Sequence, residues 1–248
     1  MKASLILIVA GLLAFARPVS ARLLSTKPSP SETWSPLLSL TVGGGFEFET
    51  DKERSEYDFP LFVEYNFTER LRASIESNFG HIESKSANAA SVSGWGDLET
   101  SMQWEFLRER RYRPALTLEG IIKWPTATSS ELGDPGRDYS LGLIASKDFV
   151  YADVDLGLRY TSIGDPEAHD NLELTVAGEW PLNHRLSVLA ESVTTIETGR
   201  HGQTDTDGTV GLAWRATSHL KLEGGGTVRS DGTWQVIFAW EWNFAGED

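Results

Sequence analysis

From Leu38 to Phe244, apolar side chains recur at every second position, in blocks parted by polar or Gly- and Pro-bearing stretches. Leu38, Leu40, Val42, Phe46 and Phe48 share one parity, and Tyr57, Phe59, Leu61, Val63, Tyr65 and Phe67 make the next set. Further sets include Leu116, Leu118, Ile122 and Trp124, then Leu156, Leu158 and Tyr160, then Trp234, Val236, Phe238, Trp240, Trp242 and Phe244. A two-residue period places successive side chains on opposite faces of a strand. The blocks predict about twelve strands of about ten residues each, the length a tilted strand needs to cross a bilayer. The alternate positions are polar and mostly charged: Glu47, Glu64, Arg72, Glu76, Glu99, Glu105, Glu119, Lys123, Asp155, Arg159, Glu173, Glu179, Arg185, Glu191, Arg215, Lys221, Glu223 and Glu241.

Alternation alone also fits a secreted β-sandwich, whose apolar face turns inward. The connections favour a barrel. Residues 68–70, 149–151, 181–184 and 217–219 read as short turns, and 107–113 as a less regular one. Residues 80–93, 126–137, 162–169 and 195–206 read as long polar loops. Short turns on one side and longer loops on the other mark a transmembrane antiparallel β-barrel, with the short turns periplasmic and the loops extracellular. Large aromatics sit near the strand ends. Trp104, Trp180, Trp214 and Phe244 fall toward the short turns, Trp95, Trp124, Tyr139 and Trp234 toward the loops, and Trp240 and Trp242 of the last block join the girdle. Two aromatic girdles suit two membrane interfaces, where a ring meets both apolar and wet surroundings. The final strand resembles the terminal signal that the outer-membrane assembly machinery reads, although Ala245-Gly246-Glu247-Asp248 follow Phe244.

Composition agrees with export. Met1-Lys2, an apolar stretch to Phe15 and the small residues Val19-Ser20-Ala21 read as a signal peptide over 1–21. Its removal takes Lys2 and Arg17 and no acid, so the formal charge moves from −14 to −16. Residues 22–36, with Pro28, Pro30 and Pro36, read as an extended periplasmic leader, and 37–248 as the barrel. No later stretch suits a membrane helix. With 22 Lys+Arg against 36 Asp+Glu the chain is a poor nucleic-acid ligand, and zero Cys excludes thiol chemistry and disulfides.

One stretch carries a family likeness. Gly94-Trp95-Gly96-Asp97-Leu98, Pro114 to Leu118, Lys123-Trp124-Pro125-Thr126, Gly133-Asp134-Pro135-Gly136 and Asp138 to Leu143 stand in this order. They resemble the outer-membrane barrel family named for the MetA pathway of phenol degradation. The resemblance implies passage of small aromatic or apolar compounds.

The polar positions are the candidate pore lining, twelve acidic and six basic in the set above. An acidic lumen concentrates cations and repels anions. The competing expectation is that the charges pair across strands, because unpaired buried charge is costly. Arg72, Arg185, Arg215 and Lys221 fall toward the short turns with Glu64, Glu105, Glu179 and Glu241, as a paired plug or a selectivity ring. Lys123 reads as a salt-bridge partner of Glu119 or Glu99, or as a substrate-facing cation. Two rival classes stand beside the channel. A lipid-modifying enzyme would use Ser with His, but His81, His169, His184, His201 and His219 fall in predicted loops or turns, and no Gly-x-Ser-x-Gly motif occurs. An adhesive barrel would work through its loops, meeting lipopolysaccharide. Asp205 and Asp207 near His201 lack metal-ligand spacing, so no metal or cofactor is expected.

Overall fold

The computed structural model describes residues 39–50, 54–84, 91–166, 168–199 and 202–244. The signal peptide and leader readings lie outside the described residues. Thirteen strands follow one another: β1 (Leu40–Thr50), β2 (Arg54–Thr68), β3 (Leu71–Ser84), β4 (Val92–Trp95), β5 (Leu98–Leu107), β6 (Ala115–Trp124), β7 (Asp138–Phe149), β8 (Ala152–Ser162), β9 (Asn171–Pro181), β10 (Leu186–Glu197), β11 (Thr204–Arg215), β12 (Leu220–Arg229) and β13 (Trp234–Asn243). Each strand pairs antiparallel with its neighbours, and the β1–β13 pairing closes the sheet. β4 and β5 both pair with β3, β4 against Phe79–Ile82 and β5 against Leu71–Glu76. They are one strand interrupted at Gly96-Asp97, so twelve strands surround the barrel, as the periodicity predicts.

Burial is inverted relative to a water-soluble sandwich. Among the described residues, six apolar side chains are buried against nineteen polar or charged ones. Phe59, Leu61, Val63, Leu141, Leu143, Leu156, Leu158, Val210 and Leu212 lie exposed on one parity, while Glu47, Glu76, Glu105, Glu119, Asp155, Glu179 and Glu223 lie buried on the other. The apolar face is the outer wall and the polar face lines the lumen. Closure through β1–β13 leaves only the short β4 with one strand partner, and on its other side the Thr128 amide donates to the Trp95 carbonyl.

Two predicted loops are shorter than the sequence suggests. β3 runs on to Ser84 and β4 begins at Val92, so part of 80–93 is paired strand. β10 reaches Glu197 and β11 begins at Thr204. The sequence hides both extensions because the last residues, such as Glu83-Ser84 and Thr204-Asp205, are polar on both faces. Ladder pairing carries them past the apolar band. His81 therefore sits in β3, not in a loop.

Candidate functional site

A belt of side chains crosses the inner wall from β2 to β9. Arg72 donates from Nε to Gln103 at 2.6 Å and from Nη1 to Glu64 at 3.2 Å. The Gln103 amide donates to Glu119 Oε1 at 2.5 Å. Arg159 donates to Glu119 Oε2 from Nη2 at 2.8 Å and from Nε at 3.2 Å, and to Glu173 from Nη1 at 3.1 Å. The strand register dictates this chain. Arg72 faces Gln103, Gln103 faces Glu119, Glu119 faces Gly142, Gly142 faces Arg159, and Arg159 faces Glu173. Glycine at 142 leaves the gap over which Arg159 reaches Glu119, since a Cβ there would stand 3.1 Å from Glu119 Oε2. Gln103 and Glu119 are each only 2% exposed, so each needs the partners that the belt supplies.

The family-like motif converges on the loop side. Lys123 pairs with Asp134 at 2.8 Å and Asp138 at 2.6 Å, with Asp97 at 3.9 Å, and not with Glu119 or Glu99. The reason is topological. Asp138 opens β7 directly opposite Lys123, residues 125–137 fold back to bring Asp134 alongside, and Glu119 is taken by Arg159. Asp97 is buried and accepts from the backbone amides of Thr126 and Ala127 at 2.9 Å and of Asp134 at 3.0 Å. This latch holds the segment 125–137 inward. Leu132 packs where Cβ atoms of Gly80 and Gly94 would stand, and both glycines are on the lumen-facing parity. The strand break at Gly96 allows the close approach, because a Cβ there would meet Asn78 Oδ1 at 1.9 Å.

On β1–β3 the inner wall is acidic. Glu47 faces Asp58 directly across β1–β2, and Glu49 faces Glu56. Arg229 donates to Glu49 at 2.7 Å and lies 3.8 Å from Asp207, while Arg54 pairs with Glu56 at 3.3 Å. Beside them, with Ile237 directly opposite Glu47, Leu189, Ala213 and Ile237 form a buried apolar cluster on the lumen-facing parity, with Gly211 and Gly225 between.

At the short-turn end a polar pocket of about 190 Å³ is lined by Arg185, His184, Arg215, Lys221, Asp153 and Glu179, among others. Lys221 pairs with Glu223 at 2.9 Å. The four basic residues expected together separate into two places. Arg185, Arg215 and Lys221 meet here, whereas Arg72 belongs to the belt with Glu64. Arg185 lies in the turn after β9, not on a strand. Glu191 and Glu241 keep the lumen-facing parity of β10 and β13.

Trp95, Trp104, Tyr139, Trp180, Trp214, Trp234, Trp242 and Phe244 are exposed on the outer wall. Trp124 and Trp240 are half-buried. Trp124 donates from Nε1 to Thr100 at 3.0 Å and carries the Arg137 guanidinium over its ring, and Trp240 Nε1 lies over Gly44.

Sequence reasoning missed Asp58, Glu49, Arg229, Gln103, Asp97, Asp134 and Asp138. The first four obey the same inward parity as the residues singled out. The last three were visible only as part of the motif, since a loop's return path is not written in periodicity.

His81 Nδ1 shares a 2.5 Å hydrogen bond with Ser93 Oγ, and its ring packs on Tyr57. Among the described residues no carboxylate bonds the other ring nitrogen, so nothing fixes the imidazole as a base toward Ser93.

No family model and no curated protein matches the sequence. Solved structures match its shape. An outer membrane channel from Pseudomonas putida F1 aligns at a TM-score of 0.74 and 14% identity, covering 88% of this chain and 100% of that one. The NanC porin aligns at 0.61 and 11% identity, over 82% of this chain and 98% of its own. The KdgM porin, solved in complex with disordered oligogalacturonate, aligns at 0.60 and 11%, over 81% of this chain and 98% of its own. At these identities the likeness establishes the closed barrel.

Proposed function

We propose that this chain is an outer-membrane channel that passes small solutes down their gradient through a polar, acidic lumen. The observation that carries the reading is the inverted burial: an apolar outer wall around an inner wall where acids outnumber bases. An apolar outside suits lipid, and fixed inner acids concentrate cations. The aromatic rings near the strand ends then sit at the two interfaces, against outer-membrane lipid and lipopolysaccharide. Insertion falls to the barrel-assembly machinery, and the ordered pore-lining set runs from Glu64 through Arg159 to Glu241. Likeness to a channel and two porins supports this reading, as does the resemblance to the phenol-degradation family, which adds small aromatic or apolar compounds to the candidate solutes. Catalysis fits less well, because among the described residues no third group orients the His81–Ser93 pair. The experiment is a vesicle-swelling assay on the refolded chain with amines, neutral sugars, simple aromatics and organic acids. Entry of small amines ahead of acids of equal size supports the proposal. Intact vesicles impermeable to every solute refute it.

A further inference from the structure

We infer that the hairpin tip Arg110 to Arg113, on the outer side of the barrel wall at the short-turn end, binds the headgroup of an anionic phospholipid. The inference goes beyond the channel reading and needs only that the outer wall faces lipid. Residues 108–114 join β5 to β6, and there Arg108, Arg110, Arg111 and Arg113 stand against one acid, Glu109, in a chain of formal charge −14. Arg110 and Arg113 exchange backbone hydrogen bonds at 3.0 and 3.2 Å. Residues opposed in this way send both side chains from one face of the ladder, with Cβ atoms about 5 Å apart. The pairing sets two guanidiniums side by side, an arrangement that repels unless an anion joins them. Among the described residues the chain supplies no such anion. Glu109 pairs with Lys147. Glu69 pairs with Arg108, which also lies 3.8 Å from Glu105. Asp148 and Asp153 face each other on the lumen parity. Arg111 lies over the Tyr112 ring at 5.1 Å, a contact that uses its flat face and not its N–H edge. Lys147 tells which side of the wall the hairpin is on. It shares the outward parity of β7 with the exposed Leu141, Leu143 and Phe149, and its ammonium also donates to the Arg110 carbonyl at 3.3 Å. The hairpin is thus tied to the lipid-facing side and not beneath the lumen. Tyr112 in the hairpin and Phe149, Val150 and Tyr151 at the next turn are exposed. Guanidiniums beside exposed rings at the end of an apolar wall suit the headgroup level of a bilayer. A phosphate diester offers the two oxygens that such a fork takes.

The test uses the full chain refolded in nonionic micelles doped with equal amounts of phosphatidylglycerol and phosphatidylcholine. Native mass spectrometry then counts the lipid that the released barrel retains. Each basic residue beside an anionic surface adds about fivefold to binding. Phosphatidylglycerol should therefore be retained over phosphatidylcholine by about tenfold or more. Arg110→Gln combined with Arg113→Gln keeps the backbone bonds of the hairpin and should bring the two lipids to parity. Arg137→Gln, an exposed cation on the loop side, should leave the preference intact. Faster gel migration before boiling than after confirms that each variant is a closed barrel. Equal retention of the two lipids by the unaltered chain, or a preference that survives the double variant, overturns the inference. A phosphate adduct that replaces the lipid when inorganic phosphate is added gives the fork to the free anion and overturns it as well. Retention is read without any current. A silent bilayer therefore removes the channel and leaves this site, and lipid parity removes the site and leaves the channel.

Discussion

At the scale of the residue, the belt stands on Arg159. Its guanidinium satisfies Glu119 and Glu173 at once, and the Glu119 side chain is only 3% exposed. Arg159→Ala leaves a buried carboxylate unmatched, which costs about 3–5 kcal/mol. Unfolding from lipid vesicles, followed by tryptophan fluorescence, should show that loss, whereas Arg159→Ala with Glu119→Gln recovers most of it. Gly142→Leu tests the gap itself. The added side chain fills the space between Arg159 and Glu119, and overpacking of this kind costs about 1–3 kcal/mol. No change in unfolding for Gly142→Leu would show that the bridge does not need the gap. The partners of Lys123 show what periodicity leaves out. Its inward position follows from the alternation in β6, but Glu99 and Glu119 were the expected partners because they are close in strand pattern. Asp134 arrives through a loop, and no two-residue period reports where a loop returns.

At the scale of the element, the inward segment 125–137 hangs on Asp97. Each amide bonded to a carboxylate is worth about 1.5–3 kcal/mol, and Asp97 accepts three. Asp97→Ala should free the segment and speed tryptic cleavage after Arg137 at least tenfold, with the barrel still folded. Unchanged cleavage would separate Asp97 from the latch. A second loop carries a pH signature. Asp170 accepts from the Tyr160 hydroxyl and from the Ile163 amide at 3.0 Å, and these donors hold its carboxyl below the ordinary range. A depressed value means the anchoring is complete above the ordinary carboxylate range and is lost only as the pH falls through the lowered value. Hydrogen exchange at the Ile163 amide should stay protected through mild acid and lose protection below it, and Asp170→Asn should remove that dependence. The strands were legible where one face is apolar over its length, as in β2 and β13. They were cut short at the top of β3 and β10, where both faces are polar and only ladder pairing continues the strand.

At the scale of the whole molecule, composition divides between two walls. Among the described residues, the Trp and most large apolar side chains lie outward or near the strand ends, and most acids lie inward or in loops. A mean hydropathy of −0.27 thus describes a chain whose apolar half faces outward. The number of strands was readable because twelve apolar blocks survive, and β4 with β5 counts once since both ride on β3. The grouping of lumen charges was not readable. Register sets it, and a row of residues climbs round the barrel through partners far apart in sequence, as from Arg72 to Glu173. A closed barrel of this kind should also resist dodecyl sulfate without heating and migrate faster than its boiled form, and a single mobility with and without boiling would contradict the closed sheet.

In the proposed channel, fixed acids on the inner wall govern what passes. The reversal potential of the refolded protein in a planar bilayer, under a potassium chloride gradient, tests it most directly. An acidic lumen should give current through single channels with a reversal potential of the sign set by cation flow. A reversal potential of the opposite sign, or a bilayer that stays silent after insertion, contradicts it.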